Sequence, residues 1–278
     1  MTITIRDVLN ILIEPVEPVE PVEPLQPLES LHNRADTLKF GTPDTAVKGI
    51  VVTFMATIHV IEQAISLGAN LIITHEGTFY SHHDVFERSL DQDTIYQAKK
   101  RLIEESGMAI YRCHDDIHKY RPDGITEGLV DILGWQAYVT EQLDAATLIS
   151  LPETMTGVQI VEHVKKQLSI SYLRTAGNLS LALNRIGLLA GYRGGGSLSI
   201  PLFEQNQLDL IIYGEGPEWE TPEYVRDAAY LGKQKSLIVL GHAESEQPGM
   251  KLLAERLDHR LPGIPVYFIP VEPIFQIT

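Results

Sequence analysis

The chain has little cysteine. Cys113 is the only one among 278 residues, which excludes an internal disulfide framework and suits a reducing compartment. Basic residues are also scarce, 22 Lys and Arg against 37 Asp and Glu, for a formal net charge of −15. No Lys/Arg run interrupts that acidic field, so a nucleic acid partner is not expected. No apolar run approaches the length of a transmembrane helix, and the opening MTITIRDVLNILIEP is too short, acidic and amphipathic for a signal peptide. These absences point to a soluble cytoplasmic protein with no membrane partner. A hydrophobic content of 44% and a charged content of 21% are those of an ordinary globular chain.

What is present is a phrase written three times: a helical stretch, a glycine, an apolar strand, then histidine with acidic neighbours. AISLGANLIITHE ends at His75 and Glu76, and LIEESGMAIYRCHDDIH ends at His114, Asp115, Asp116 and His118. AAYLGKQKSLIVLGHAESE ends at His242, Glu244 and Glu246. In α/β proteins the carboxyl ends of the strands form the mouth where ligands bind. Three strands delivering imidazole and carboxylate there could build one metal site, since borderline divalent ions accept mixed nitrogen and oxygen donors. A single histidine after a strand is more often a hydrogen-bonded loop residue; the coincidence of three raises the interest. If SEQPGM opens the last helix, His242 and Glu246 share one face. His82 and His83 read as supporting or solvent residues, and His32, His59, His163 and His259 as structural ones.

Alternation of helical and strand patterns from Ala46 onward predicts an α/β fold: two related α/β lobes with mixed, mostly parallel sheets and a metal site in the cleft between them. The first lobe is expected over 1–148, completed by 245–278, and the second over 149–244. Thr4 can cap a first helix over Ile5 to Ile13, and Thr221 a later one. Between them, prolines at 15, 18, 21, 24 and 27 repeat every three residues, the period of polyproline II. This acidic strip, an insertion over 14–30, reads as a semi-rigid surface segment or as a strip for a partner's groove.

The loop GYRGGGS follows an apolar strand and precedes a helix, as a phosphate-cradling loop does, but it lacks a P-loop lysine. A tight turn needing glycine backbone angles is the plainer reading. Glu215, closing the strand LDLIIYGE, suits a general base or a helix N-terminal acid equally well.

These residues together resemble the NIF-three-like proteins, ring-forming hexamers with a dinuclear metal centre, often labelled GTP cyclohydrolase one type-two homologues. GANLIITHEG stands where the family has a segment like GADLIITHHP, YRCHDDIH where it has one like YSAHTNLD, and IIYGE … GHAESE where it has ITGE … GHYATE. The likeness runs from about Val47 to the C-terminus, without the extra inserted domain of longer relatives. It implies metal ligands at His75, Glu76, His118, His242 and Glu246, holding two divalent ions from among Zn, Mn, Fe, Co and Ni. Glu76 and His118 depart from the pattern as an exchange: a carboxylate replaces one imidazole and an imidazole replaces one carboxylate. Three histidines and two carboxylates remain, as in a retained centre. His114 and Asp116 would support the ligands from behind.

The function expected is that of a metal-dependent hydrolase acting on a small molecule, with attack at a polarised carbon or phosphorus centre. Glu215 or Glu244 would move the proton, and Tyr192, Arg193, Lys119 and Arg121 are candidates to anchor substrate. Cyclohydrolase-like action on a nucleotide or cyclic amide, and a homo-hexamer, are what the resemblance implies. The competing expectation is a non-catalytic metal-binding or regulatory ring; a third is phosphoester hydrolysis.

Overall fold

Ile5, Val8, Leu9 and Leu12 recur at helical spacing and are all buried, which makes Ile5–Ile13 an amphipathic helix, α1. Thr4 starts it as expected: the Asp7 amide donates to Thr4 Oγ1 at 3.3 Å, and the Thr4 amide donates to the Asp7 carboxylate at 2.8 Å. The structure, a computed structural model, describes residues 2–13, 35–82 and 92–276. The proline repeat, His32 and His83 lie outside the described residues.

The path continues through β1 (Leu38–Phe40), β2 (Ile50–Thr53), α2 (Ile58–Ser66), β3 (Leu71–Thr74), α3 (Thr94–Ser106), β4 (Ala109–Arg112) and α4 (Asp115–His118). Next come α5 (Gly124–Leu133), β5 (Val139–Gln142), β6 (Thr147–Thr156), α6 (Gly157–Leu168), β7 (Arg174–Gly177) and β8 (Ala182–Leu189). The remainder is α7 (Gly196–Gln205), β9 (Leu210–Tyr213), α8 (Thr221–Tyr230), β10 (Ser236–Val239), α9 (His242–Arg260) and β11 (Val266–Phe268).

Two units divide the chain: Met1–Gly124 with Met250–Ile274, and Ile125–Gly249 with Phe275–Thr278. The expected boundary at residue 148 falls inside β6, whereas the two units part after Gly124, the first residue of α5. In the first unit the sheet runs β1-β4-β3-β2-β11, parallel except at the β1 edge. Every residue of β2, β3 and β4 is buried, the pattern of parallel strands covered on both faces. Val51, Ile61, Ile72, Phe79 and Ile110 belong to its core.

The second unit's sheet runs β5-β6-β8-β9-β10-β7. It is more antiparallel than the sequence suggests: only β8–β9 and β9–β10 pair parallel. Leu148, Leu189, Phe203, Ile211 and Leu237 belong to its core.

Helix starts follow the sequence where a side chain caps them. Thr57 accepts from the Val60 amide, Asp93 from the amides of Ile95 and Tyr96, and Thr156 forms a capping box with Gln159. Thr221 departs from expectation. The cap of α8 is Glu220, without a side-chain bond, and the Thr221 hydroxyl donates instead to the Gly194 carbonyl at 2.9 Å. Among the described residues, no helix is long and apolar enough to cross a membrane.

Candidate metal centre

In the first unit, β3 and β4 are parallel neighbours in register from Leu71↔Ala109 to Thr74↔Arg112, so their carboxyl ends open side by side. The chain leaves β3 at His75 and Glu76, and leaves β4 at Cys113 and His114 before turning into α4, whose last residue is His118. The imidazoles of His75 and His114 stack with centroids 4.6 Å apart, and His118 stands edge-on to both, at 5.2 and 5.4 Å. One nitrogen from each of the three rings lies within 4.8 Å of the others.

The orientation of each ring is set from behind. His75 Nδ1 lies 3.0 Å from the Cys113 carbonyl oxygen, which can only accept, so Nδ1 carries the proton and Nε2 offers a lone pair. His118 Nδ1 lies 3.0 Å from an Asp123 carboxylate oxygen, and His114 Nδ1 lies 2.8 Å from Asp115. An oxygen acceptor on one ring nitrogen is how metal-binding histidines are held, with the other nitrogen left for the ion. All three rings have such an oxygen on Nδ1, and His114 also faces Glu76 with its Nε2.

Glu76 has a different neighbour. The guanidinium of Arg112, fully buried, donates to the Glu76 carboxylate at 3.1 Å and to the His75 carbonyl at 3.1 Å. It also donates to the His82 carbonyl, and it faces His82 Nδ1 at 3.2 Å, which therefore accepts. The other Glu76 oxygen is 3.6 Å from His114 Nε2. Burial alone would raise the Glu76 pKa; His114, His75 and Arg112 outweigh it and hold the group at about 2. Burial likewise opposes charge on His114, but Glu76 and Asp115 beside it raise its pKa overall.

Beneath α4 lies Asp36, whose carboxylate accepts from the amides of His114 (2.7 Å), Asp115 (2.9 Å) and Asp116 (2.6 Å). Burial raises its pKa against the pull of those amides. Asp36, Arg112 and Asp123 all escaped the sequence reading. Arg112 alone left a signal there, as a charged residue closing an apolar strand. Asp116, expected behind the ligands, is buried and pairs with Lys119 at 2.9 Å. Lys119 is thereby engaged, and Arg121 donates to the carbonyls of His118, Lys119 and Tyr120.

In the second unit, Glu215 follows closely on the end of β9, and His242, just beyond the end of β10, is the first residue of α9. The helical spacing places His242 Nε2 3.2 Å from Glu246, while His242 Nδ1 faces Glu215 at the same distance. Gly191 is required beside them: its φ is +70°, and a Cβ there would sit 2.0 Å from Glu246 Oε1. Its amide donates to Ser245 Oγ at 2.9 Å. Glu244 shares the first turn of α9 but lies against Gly241, where a Cβ would meet its carboxylate at 2.1 Å.

The glycine loop is not arranged as a phosphate cradle. The Gly196 amide at the start of α7 donates to the unit's own Glu220 carboxylate at 2.5 Å, which occupies the place of an anion. Of the two residues expected to bind substrate there, Tyr192 is exposed and Arg193 is half-buried, its carbonyl accepting from Ser199. His163 bonds the Leu133 carbonyl and stacks on Trp135, and His59 faces Gln63. Neither neighbours a histidine cluster.

Two α/β units, each with imidazole and carboxylate gathered at the carboxyl ends of parallel strands, define an α/β protein with candidate metal-binding groups. The Duf34/NIF3 (NGG1p interacting factor 3) family model matches residues 29–274, and the chain belongs to that family. A relative from Clostridium perfringens, named GTP cyclohydrolase 1 type 2 homolog, is 24% identical over 81% of this chain and 83% of its own length. The Staphylococcus aureus hypothetical protein SA1388 superposes with a TM-score of 0.71 at 17% identity, covering 100% of both chains. A Bacillus cereus protein related to NIF3 does so at 0.70 and 15% identity, covering 99% of both chains. At such identity these two structures speak for the fold alone.

Proposed function

We propose that the protein is a metal-dependent hydrolase of small molecules. The observation that carries this reading is the trio of His75, His114 and His118, each with Nδ1 tied to an oxygen and one nitrogen converging with the others. The proposed ligand residues are His75, Glu76, His118, His242 and Glu246, the set the resemblance implies. The donor chemistry fits a borderline divalent ion, which supplies Lewis acidity for hydrolysis when bound.

The chain's own residues do the rest. Glu215 holds His242 by Nδ1, so it fixes that ring's direction and is in reach to take a proton from it. Glu244, on the same turn, is the second proposed proton carrier. Tyr192 and Arg193 border the second unit's set through Gly191 and are proposed to meet substrate. The relative's name suggests cyclohydrolase-like action on a nucleotide or cyclic amide, and we extend that substrate class to this chain, together with a homo-hexameric ring and a cytoplasmic setting.

The test is a turnover screen with GTP, cyclic amides and phosphodiesters, on protein loaded with Zn, Mn or Co. Turnover that is lost in His242→Ala and kept after deletion of residues 14–30 supports the hydrolase. Bound metal without turnover on any substrate would favour a regulatory metal-binding ring.

A further inference from the structure

We propose that this chain holds a single metal ion on the imidazoles of His75, His114 and His118, with the Glu76–Arg112 pair taking the place of a second ion. The inference rests on the metal-dependent reading and sharpens it: His114 becomes a ligand, Glu76 ceases to be one, and the first unit suffices to keep the ion.

Two observations carry it. The first is the likeness of the three histidines. His114 shares its neighbours' arrangement, with an oxygen partner on Nδ1 and its ring stacked on His75, while its Nε2 lies 3.6 Å from Glu76. Three protein nitrogens with a further position open is the donor count of a catalytic zinc-type site.

The second is the surroundings of Glu76. An arginine guanidinium is always charged, and that of Arg112 has no exposed surface. A buried cation needs a counter-charge, and Glu76 is the carboxylate within 4.0 Å of it among the described residues. A divalent ion on the same carboxylate would be pressed against a fixed positive charge in a poorly solvated place. Arg112 also donates to the His75 and His82 carbonyls, so swinging aside would break those two bonds as well. Without Glu76, the second unit brings His242 and Glu246 as ligands, fewer than the three protein donors of a typical catalytic ion. The count is therefore one.

A nitrogen donor set also sets the preference among ions. Zn, Co and Ni suit imidazole, whereas Mn and Mg favour oxygen-rich sites.

The experiment is metal analysis of the full chain after chelation, reloading with Zn or Co, and desalting. Expected are about one equivalent in the unaltered protein, in Glu76→Gln and in the double variant His242→Ala/Glu246→Ala, and well below half an equivalent in His114→Ala. Mn offered alone should not survive desalting. Because His114→Ala could lose structure, His114→Gln is measured beside it, each checked by circular dichroism, and Co absorption reports the loss of a nitrogen ligand directly. Two equivalents that fall to one in Glu76→Gln would overturn the inference and leave the metal-dependent hydrolase standing. So would His114 variants that keep their ion. An unaltered protein that binds no metal would overturn both.

Discussion

At the scale of single residues, the Glu76–Arg112 pair sets the strongest expectations. Truncation in Glu76→Ala leaves a fully buried guanidinium without its counter-charge, a change that costs on the order of 3 kcal/mol when a buried pair is broken. Glu76→Gln keeps an acceptor for Arg112 and should cost less, as chemical denaturation of the two variants would show. The pair also leaves a pH signature. The Glu76 carboxyl titrates at about 2 in the folded chain against 4.5 ordinarily. A depressed carboxylate stabilises the fold fully above its unfolded pKa, and that contribution fades as pH falls toward 2. Chelator-treated protein should thus lose roughly 3 kcal/mol from this group over that window. Glu76→Gln should lack this component, and identical acid profiles for the two proteins would contradict the assignment. Gly191 offers a second case. With φ at +70° and Glu246 against its α-carbon, Gly191→Ala should cost about 1–3 kcal/mol and displace the Glu246 carboxylate. Thermal unfolding measures the first effect.

At the scale of elements, legibility in the sequence followed how local the determinant was. Helix ends marked by Thr57, Asp93 or Thr156 with Gln159 could be read because a cap and its amides are neighbours in the chain. The face shared by His242 and Glu246 followed from a spacing of four once α9 was granted. Other elements were hidden. The strand β6 carries no clear strand pattern in the sequence, because Pro152 and Glu153 follow the apolar half and its pairing with β8 shifts register between Ser150 and Met155. The apolar stretches LSLALN and RIGLLAG read as two pieces, but parts of both form one strand, β8. The short helix α4 was invisible for a plainer reason: its anchor, Asp36, lies 78 to 80 residues upstream. That anchor can be tested. Asp36→Ala removes a charged acceptor from three amides at once and should cost about 2–3 kcal/mol, with Asp36→Asn retaining part of it. Because α4 carries His118 and is entered through His114, both Asp36 variants should also bind metal more weakly than their loss of stability explains. Affinity measured well below the unfolding transition separates the two effects.

At the scale of the whole molecule, each unit has its own sheet and its own core, so the effect of an ion can be followed unit by unit. A ligand that binds only the native state raises the free energy of opening wherever its contacts must break for the backbone to exchange. The three imidazoles hang from the ends of β3 and β4 and from α4. Hydrogen exchange on the metal-loaded protein should therefore slow in segments covering Leu71–Thr74, Ala109–Arg112 and Asp115–His118. The decisive comparison is His242→Ala/Glu246→Ala, which removes both proposed ligands of the second unit and leaves the first unit's imidazoles in place. If three imidazoles suffice, the same segments stay protected by metal in that variant, while β9 and β10 exchange alike with and without it. Protection of β3 and β4 that vanishes in the double variant would mean that the ion depends on donors from outside the first unit, and the three-histidine site would have to be abandoned.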